Sequence, residues 1–330
     1  MKMHTDNVFL GTCGHNNGFT FFLDTKMTSE NVAMGIFLFS QITVGMLGNS
    51  SILFYYVILL FTGKSLMPKD LIIQHLTFAN CLSIISRGIP QTLADYGFKN
   101  ILDDIACKLI VYIYRITRGM SLYAMSLLSC FQAITISPNH SRWIMFKHRV
   151  IKYIGPSCSV SWLVHVLLNI VTPARVSGPS YKNNVTNVVS YGYCSWFASG
   201  NFATALYMLL LCFSDGLCLG LMACSSVSMM SILYRHKRQV KHIHNGQYFL
   251  KQSPENRATQ TILILVCTFV VSYSFSSIVV IFTTYSKYPM LWGISVFTFL
   301  EICFPIFCPF VLLINIKPIS SLLLPCSVKR

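Results

Sequence analysis

The stretch that decides the fold is CKLIVYIYRITRGMSLYAMSLLSCFQAITISP, residues 107–138. A hydrocarbon layer takes about 20 mostly apolar helical residues to cross, and this run is long enough. A cysteine opens it and a proline closes it. Roughly two to three turns in stand Arg115 and Arg118, among Tyr112, Ile113, Tyr114 and Ile116. Arginine at membrane depth is costly, and it faces protein or a water-filled cavity rather than lipid. One helix thus carries a crosslink point, a polar turn that can meet a ligand, and a terminus. The rest of the chain reads as six helices packed around it.

Composition agrees. Of 330 residues, 54% are hydrophobic and 11% charged, with a mean hydropathy of +0.58. A soluble domain carries about 25% charged residues. Seven stretches have the length and apolarity of spans: 33–61, 71–93, 105–136, 150–171, 201–233, 258–284 and 290–316. The second is interrupted by Gln74, His75, Asn80 and Arg87, which must then face the bundle. The expected fold is an all-α membrane protein, a seven-transmembrane helix bundle over 33–316. Residues 1–32 precede it and a short tail, 317–330, follows. Residues 1–30 hold no long apolar core with a small-residue cleavage site, so the first span is expected to serve as its own insertion signal. No internal repeat is visible, which weighs against a transporter built from two related halves.

The formal net charge of +15 is unevenly placed. Segments after odd-numbered spans carry Lys64 and Lys69, then Arg142, Lys147, Arg149 and Lys152, then Arg235, Lys237, Arg238, Lys241, Lys251 and Arg257, then Lys317, Lys329 and Arg330. The other side carries only Lys2, Lys26, Lys99, Lys108, Arg175, Lys182 and Lys287. Lys and Arg concentrate on the cytoplasmic side, so the amino terminus is expected outside and the carboxyl terminus inside. The basic surplus is then a topology signal rather than a nucleic-acid footprint. The run 235–244 could also meet anionic lipid or an acidic protein partner.

Most of the 13 cysteines lie inside apolar runs, where cysteine behaves as a small hydrophobe. Cys107 and Cys194 fall on the outer, oxidising side with Cys13, and a Cys107–Cys194 disulfide is expected over two free thiols. Asn184-Val-Thr186 is a glycosylation acceptor in the same outer loop. No metal site, cofactor motif or catalytic set is found: the chain holds no Gly-x-Ser-x-Gly, no His-Glu-x-x-His and no phosphate-cradling glycine loop, so it does not read as an enzyme.

Arg87, Arg115, Arg118, Asp215 and Glu301 are the ionisable residues well inside spans. At 1.5 Å per residue, Arg115 lies about 12 Å and Arg118 about 16 Å beyond Cys107, with Arg87 and Glu301 at a similar depth in the outer half. Asp215 is expected deeper, about 20 Å into span five. Two readings stand side by side. Internal ion pairs would fix the packing, or a surplus of cations over Glu301 would suit a small anionic ligand on an apolar frame. Pro305 and Pro309 each remove a backbone donor and bend span seven, as a fixed kink or as a switch. Asn49 and Asn80 would be satisfied by an asparagine-to-backbone link between the first, second and seventh helices.

Local strings carry a more specific signal. Ser86-Arg87-Gly88-Ile89-Pro90-Gln91-Thr92, then Phe131-Gln132-Ala133-Ile134-Thr135-Ile136-Ser137-Pro138 with Ser141-Arg142-Trp143, resemble the vomeronasal type-1 receptor family. So do the basic run from Tyr234 to His244, the string Arg257-Ala258-Thr259-Gln260-Thr261-Ile262-Leu263, and Phe304-Pro305 with Pro309-Phe310-Val311. The likeness runs over about 48–313. Where rhodopsin-like receptors carry Asp-Arg-Tyr, span three has Phe131-Gln132-Ala133. Cys308 departs from the serine expected before the second span-seven proline, and Glu301 lies outside the family pattern.

The resemblance implies a G-protein-coupled pheromone receptor in the plasma membrane, with no cofactor. Its expected partners are a small pheromone-like or steroid-like ligand among the outer helix halves, the bilayer and an inhibitory-type heterotrimeric G protein. Arg115, Arg118, Glu301 and Arg87 are the candidate ligand contacts. Arg142, Lys147, Arg149, Arg235, Lys237, Arg238 and Lys241 are the residues expected to face the G protein, and Pro305 and Pro309 the switch. The rivals are another chemosensory receptor of bitter-taste type, and a transporter or channel using the buried charges.

Overall fold

The computed structural model describes residues 29–63, 66–98, 101–137, 141–178, 188–190, 193–197, 202–243, 254–285 and 291–313. Asn184, Cys13 and the 317–330 tail lie outside the described residues. The helices are α1 (Ser29–Phe61), α2 (Pro68–Ser83), a π turn (Ile84–Gly88), α3 (Ile89–Asp95), α4 (Asp104–Ile136), α5 (Ser141–Leu168), α6 (Thr172–Arg175), α7 (Phe202–Ile243), α8 (Pro254–Tyr285) and α9 (Leu291–Leu313). Among the described residues five segments are long and apolar enough to cross a membrane: Asn31–Phe61, Asp104–Ile136, Arg149–Arg175, Ala205–Arg235 and Ile294–Leu313. Thr259–Phe275 is a shorter apolar helix.

α4 stands at the centre and packs on α2, α5, α7 and α8. Its Met120, Leu122, Ala124, Met125 and Leu128 join Ile72 and Leu76 of α2, Leu265 and Phe269 of α8, and Phe304 and Cys308 of α9 in one buried core. The opposite faces are apolar and exposed, as with Leu47, Phe54 and Phe61 of α1 and Leu209 and Phe213 of α7. Apolar residues outside and polar ones inside is the arrangement of a lipid-facing bundle.

Local chemistry sets the ends. Gly63, at φ +68°, takes the left-handed turn that closes α1. Asp70 reaches back to the Met67 amide at 2.9 Å and starts α2 behind Pro68. Asp103 accepts from the Ala106 amide at 2.8 Å and caps α4. The α2–α3 rod is the expected second span, but it is not one α-helix. Pro90 has no N–H for the Ser86 carbonyl and its ring crowds that carbonyl. The rod answers with the π turn at Ile84–Gly88, which carries Arg87.

Span boundaries also move. α5 begins nine residues before the expected 150, at Ser141, and α7 continues to Ile243. The basic run expected in a loop from 234 onward is therefore helical as far as Ile243. The second long loop, whose sequence shows no strand pattern, contains a three-stranded antiparallel sheet: β1 (Val176–Ser177), β2 (Val188–Ser190) and β3 (Ser195–Phe197), in the order β1-β3-β2. A Cys107–Cys194 disulfide ties it to α4. The Gly178 amide donates to Asp104 Oδ1 at 3.1 Å beside it. The sheet thus lies over one end of the bundle, called here the disulfide end.

α1 meets α9 closely at Gly45 and Gly48. A Cβ on Gly48 would come within 2.8 Å of the Pro309 ring, and one on Gly45 within 2.9 Å of Ile306. That approach brings Asn49 to the α9 backbone. Pro309 has no N–H, so the Pro305 carbonyl four residues earlier lacks its helical donor. Asn49 Nδ2 supplies one at 2.9 Å. Asn80 Nδ2 donates to Asn49 Oδ1 at 3.5 Å, and Ser121 Oγ donates to Asn80 Oδ1 at 2.9 Å. The expected link between the first, second and seventh helices is present and extends to α4.

Candidate ligand-binding site

Halfway along the bundle, α4, α8 and α9, with Ser83 of α2, line a half-open cleft, about 50 Å³ as a cavity and about 470 Å³ with open solvent counted. Tyr114, Arg118 and Ser121 come from α4, Phe269, Ser272 and Tyr273 from α8, and Glu301, Phe304 and Pro305 from α9. The α4 residues recur every three to four positions and so share one face. Phe269 meets Phe304 edge to face at 4.9 Å between centroids and forms an aromatic wall.

Charge in the site is paired. Arg87 Nε donates to Glu301 Oε2 at 2.6 Å, with both side chains nearly buried. Arg87 Nη1 also donates to the Tyr193 hydroxyl, which descends from the loop residue next to Cys194. The Arg87 guanidinium lies 5.4 Å from the Phe297 ring centroid and 5.8 Å from that of Tyr114. Losing one partner of a buried pair costs roughly 3–5 kcal/mol, because the other charge is left without compensation.

The second pair is looser. Arg118 Nη1 reaches Asp215 Oδ2 of α7 at 3.5 Å, and Tyr273 donates to the same oxygen at 3.2 Å. The Arg118 guanidinium sits 4.9 Å over the Tyr273 ring, a cation–π contact. Arg118 remains about a third accessible, whereas Arg87 is 7% accessible. Tyr114 Oη is buried at the same level and faces the Glu301 carboxylate.

The sequence-derived candidates therefore separate. Arg118 and Glu301 line the cavity, and Arg87 stands behind it as the partner of Glu301. Arg115, three residues from Arg118, is half-buried on a neighbouring face and does not line it. Asp215, expected deeper, stands level with Arg118 and gives it an acidic partner. Arg87 and Arg118 are thus each paired with an acid, and the expected cation surplus shrinks. Tyr114, Tyr193 and Tyr273 join the site without being among the sequence-derived candidates. The signal that could have found Tyr114 is its place in the sequence one turn before Arg118.

At the opposite end, Gln132 Nε2 donates to Thr259 Oγ1 of α8 at 3.3 Å, and Cys130 Sγ meets Ser225 Oγ of α7 at 3.1 Å. Lys147 Nζ donates to the Thr135 and Ser137 carbonyls at 3.3 and 3.1 Å, so it ties α5 to the last turn of α4. Arg149, Arg235 and the helical position of Arg238 lie on the same end, with Arg149 and Arg235 exposed. The side chains of Arg142, Lys237 and Lys241 lie outside the described residues.

The profile of the vomeronasal organ pheromone receptor family matches residues 32–324. Vomeronasal type-1 receptor 4 of Homo sapiens is 42% identical over 287 residues, covering 87% of this chain and 95% of that receptor. Olfactory receptor class A-like protein 1 of Danio rerio is 28% identical over 249 residues, 75% of this chain and 78% of that protein. The crystal structure of squid rhodopsin superposes with a TM-score of 0.63 over 86% of this chain and 76% of that one, at 18% identity. The last likeness is one of fold.

Proposed function

This chain belongs to the vomeronasal organ pheromone receptor family, and from that premise we propose that it binds a small pheromone-like molecule in the α4–α8–α9 cavity and activates an inhibitory-type G protein. Family and fold make it a chemosensory G-protein-coupled receptor, a multi-pass membrane protein. In the proposed arrangement seven spans cross the plasma membrane, with α2, the π turn and α3 as the second and α8 as the sixth. The disulfide end faces outward and the Gln132 end faces the cytosol. The uneven placement of Lys and Arg supports that orientation.

The observation that carries the ligand site is the loose Arg118–Asp215 pair beside the buried Tyr114 hydroxyl, against an aromatic wall. A ligand with an apolar frame and one hydrogen-bond-accepting head, such as a steroid or its sulfate, accepts from both Arg118 and Tyr114. Doing so draws Arg118 from Asp215, and so loosens α4 from α7. A ligand shifts a receptor only by binding the active arrangement more tightly. Basic residues at the cytosolic end, Arg142, Arg149, Arg235, Lys237, Arg238 and Lys241, then meet the G protein, and Lys147 holds α4 and α5 in register.

The test is inhibitory G-protein activation in cells with verified surface receptor, using matched sulfated and unsulfated steroids and neutral volatiles. Hydrogen bonds from a charged donor contribute about 1.5–3 kcal/mol, so Arg118→Ala is expected to weaken an active ligand by about 10- to 100-fold. Arg115→Ala, off the cavity, is expected to change potency little. Equal loss in both variants contradicts the cavity.

A further inference from the structure

Towards the disulfide end from the Arg87–Glu301 pair, α3 and α9 carry a second polar layer. Gln91 and Asp95 lie on successive turns of α3, with Ser295 and Thr298 on successive turns of α9. All four are buried: Asp95 is 8% exposed, Gln91 3%, Ser295 2% and Thr298 fully enclosed. Asp95 Oδ1 accepts from Gln91 Nε2 at 2.9 Å and from Ser295 Oγ at 2.8 Å. Gln91 Nε2 also approaches Ser295 Oγ at 3.4 Å, which clamps the two helices together. Asp95 Oδ2, Gln91 Oε1 and, one turn along α9 from Ser295, Thr298 Oγ1 are buried with no hydrogen bond among the described residues.

A buried carboxylate needs a balancing positive charge or a proton. Among the described residues no Lys, Arg or His pairs with Asp95. On α1, Gly35 lies against Asp95. Arg87, two turns away on the same rod, is committed to Glu301 and Tyr193. The unbonded atoms are all hard oxygens, and only one of them is charged. A divalent ion is held by more oxygens than these, several of them charged in tight sites. We infer that the Asp95–Gln91–Thr298 layer binds a small monovalent cation, either a sodium ion or the ammonium head of an organic amine. An ammonium brings three N–H donors, which matches the three oxygens. Because Asp95 and Ser295 lie on different helices, the bound cation clamps α3 against α9 near the extracellular mouth. The inference is independent of the ligand assigned to the deeper cavity.

The test is thermal unfolding of the whole receptor in lipid nanodiscs, in sodium, methylammonium or choline chloride at equal ionic strength. Choline has no N–H and is too bulky for the layer. Sodium, methylammonium or both are expected to raise the midpoint by a few degrees over choline, saturating with concentration. A sodium-only rise makes this an ion site, and a methylammonium rise makes it a site for amine heads. The rise is expected to vanish in Asp95→Asn. Thr298→Val, which removes one oxygen and keeps the shape, is expected to demand a severalfold higher concentration for the same rise. This second variant decides the matter if Asp95→Asn does not fold. Equal midpoints in all three salts for the unsubstituted receptor overturn the proposal and leave Asp95 holding a proton. A rise that survives Asp95→Asn, or an unshifted concentration dependence in Thr298→Val, overturns it as well.

Discussion

Asn49 donates both to the Gly45 carbonyl in its own helix, at 2.8 Å, and to the Pro305 carbonyl that Pro309 leaves without a helical donor. Asn49→Ala leaves that buried carbonyl unbonded, and a loss of about 1–3 kcal/mol is expected, read as a lower unfolding midpoint in nanodiscs. An unchanged midpoint would mean the kinked helix satisfies itself. Glu301→Gln leaves Arg87 with a neutral partner, and a fall of surface receptor is expected from a loss of up to about 3–5 kcal/mol. Arg87→Met with Glu301→Leu removes both charges, and surface level is expected to recover in part. At this scale the sequence marks the charges, because ionisable residues in apolar runs are conspicuous. It does not mark the partners, which lie 214 residues apart for Arg87–Glu301 and 97 for Arg118–Asp215. The expected depth of Asp215 is too great for a simple reason. The depth of Arg118 counts from Cys107, three residues inside α4; from the helix starts, Asp104 and Phe202, Arg118 is 14 residues in and Asp215 13, which makes them level.

Among the elements, the π turn and the α4–α8 contact carry the most. Pro90→Ala restores an N–H for the Ser86 carbonyl and lets Ile84–Gly88 relax toward α geometry. One residue of slip turns a helix by about 100°, which carries Arg87 off Glu301. Ligand-stimulated activation is then expected to fall at least tenfold at matched surface level. No change would show that the π turn does not position Arg87. The Gln132–Thr259 hydrogen bond joins α4 and α8 at the end away from the disulfide and opposes their separation there. Polar contacts between membrane helices contribute about 0.6–1.7 kcal/mol, so Gln132→Ala is expected to raise ligand-free activation by about 3- to 15-fold. Lower basal activity would assign Gln132 to the G-protein contact instead. Helix existence was legible here from apolar length. The π turn was not, since Pro90 in sequence reads equally as a kink or a helix end. The helical course of 234–243 was hidden by its charge, which resembles a loop once apolar length is the criterion.

For the molecule as a whole, the central position of α4 followed from 107–138, since a helix with polar groups along much of its length must be enclosed by others. The disulfide followed from side and count. The sheet over the disulfide end did not, because strands of two and three residues leave no alternating pattern. That sheet brings Tyr193 to Arg87, so the covering loop, the π turn and α9 share one polar network at the level of the cavity. The central claim is that the α4–α8–α9 cavity receives the signal and the Gln132 end transmits it, and one comparison addresses it most directly. Ser272→Trp places an indole in the cavity from a buried α8 position. G-protein activation is measured with and without an active ligand, at matched surface level, in Gln132→Ala alone and combined with Ser272→Trp. The expected result is that the combined receptor keeps the raised basal activity and loses the ligand response. A combined receptor that still responds at unchanged potency would place the ligand elsewhere and contradict the account.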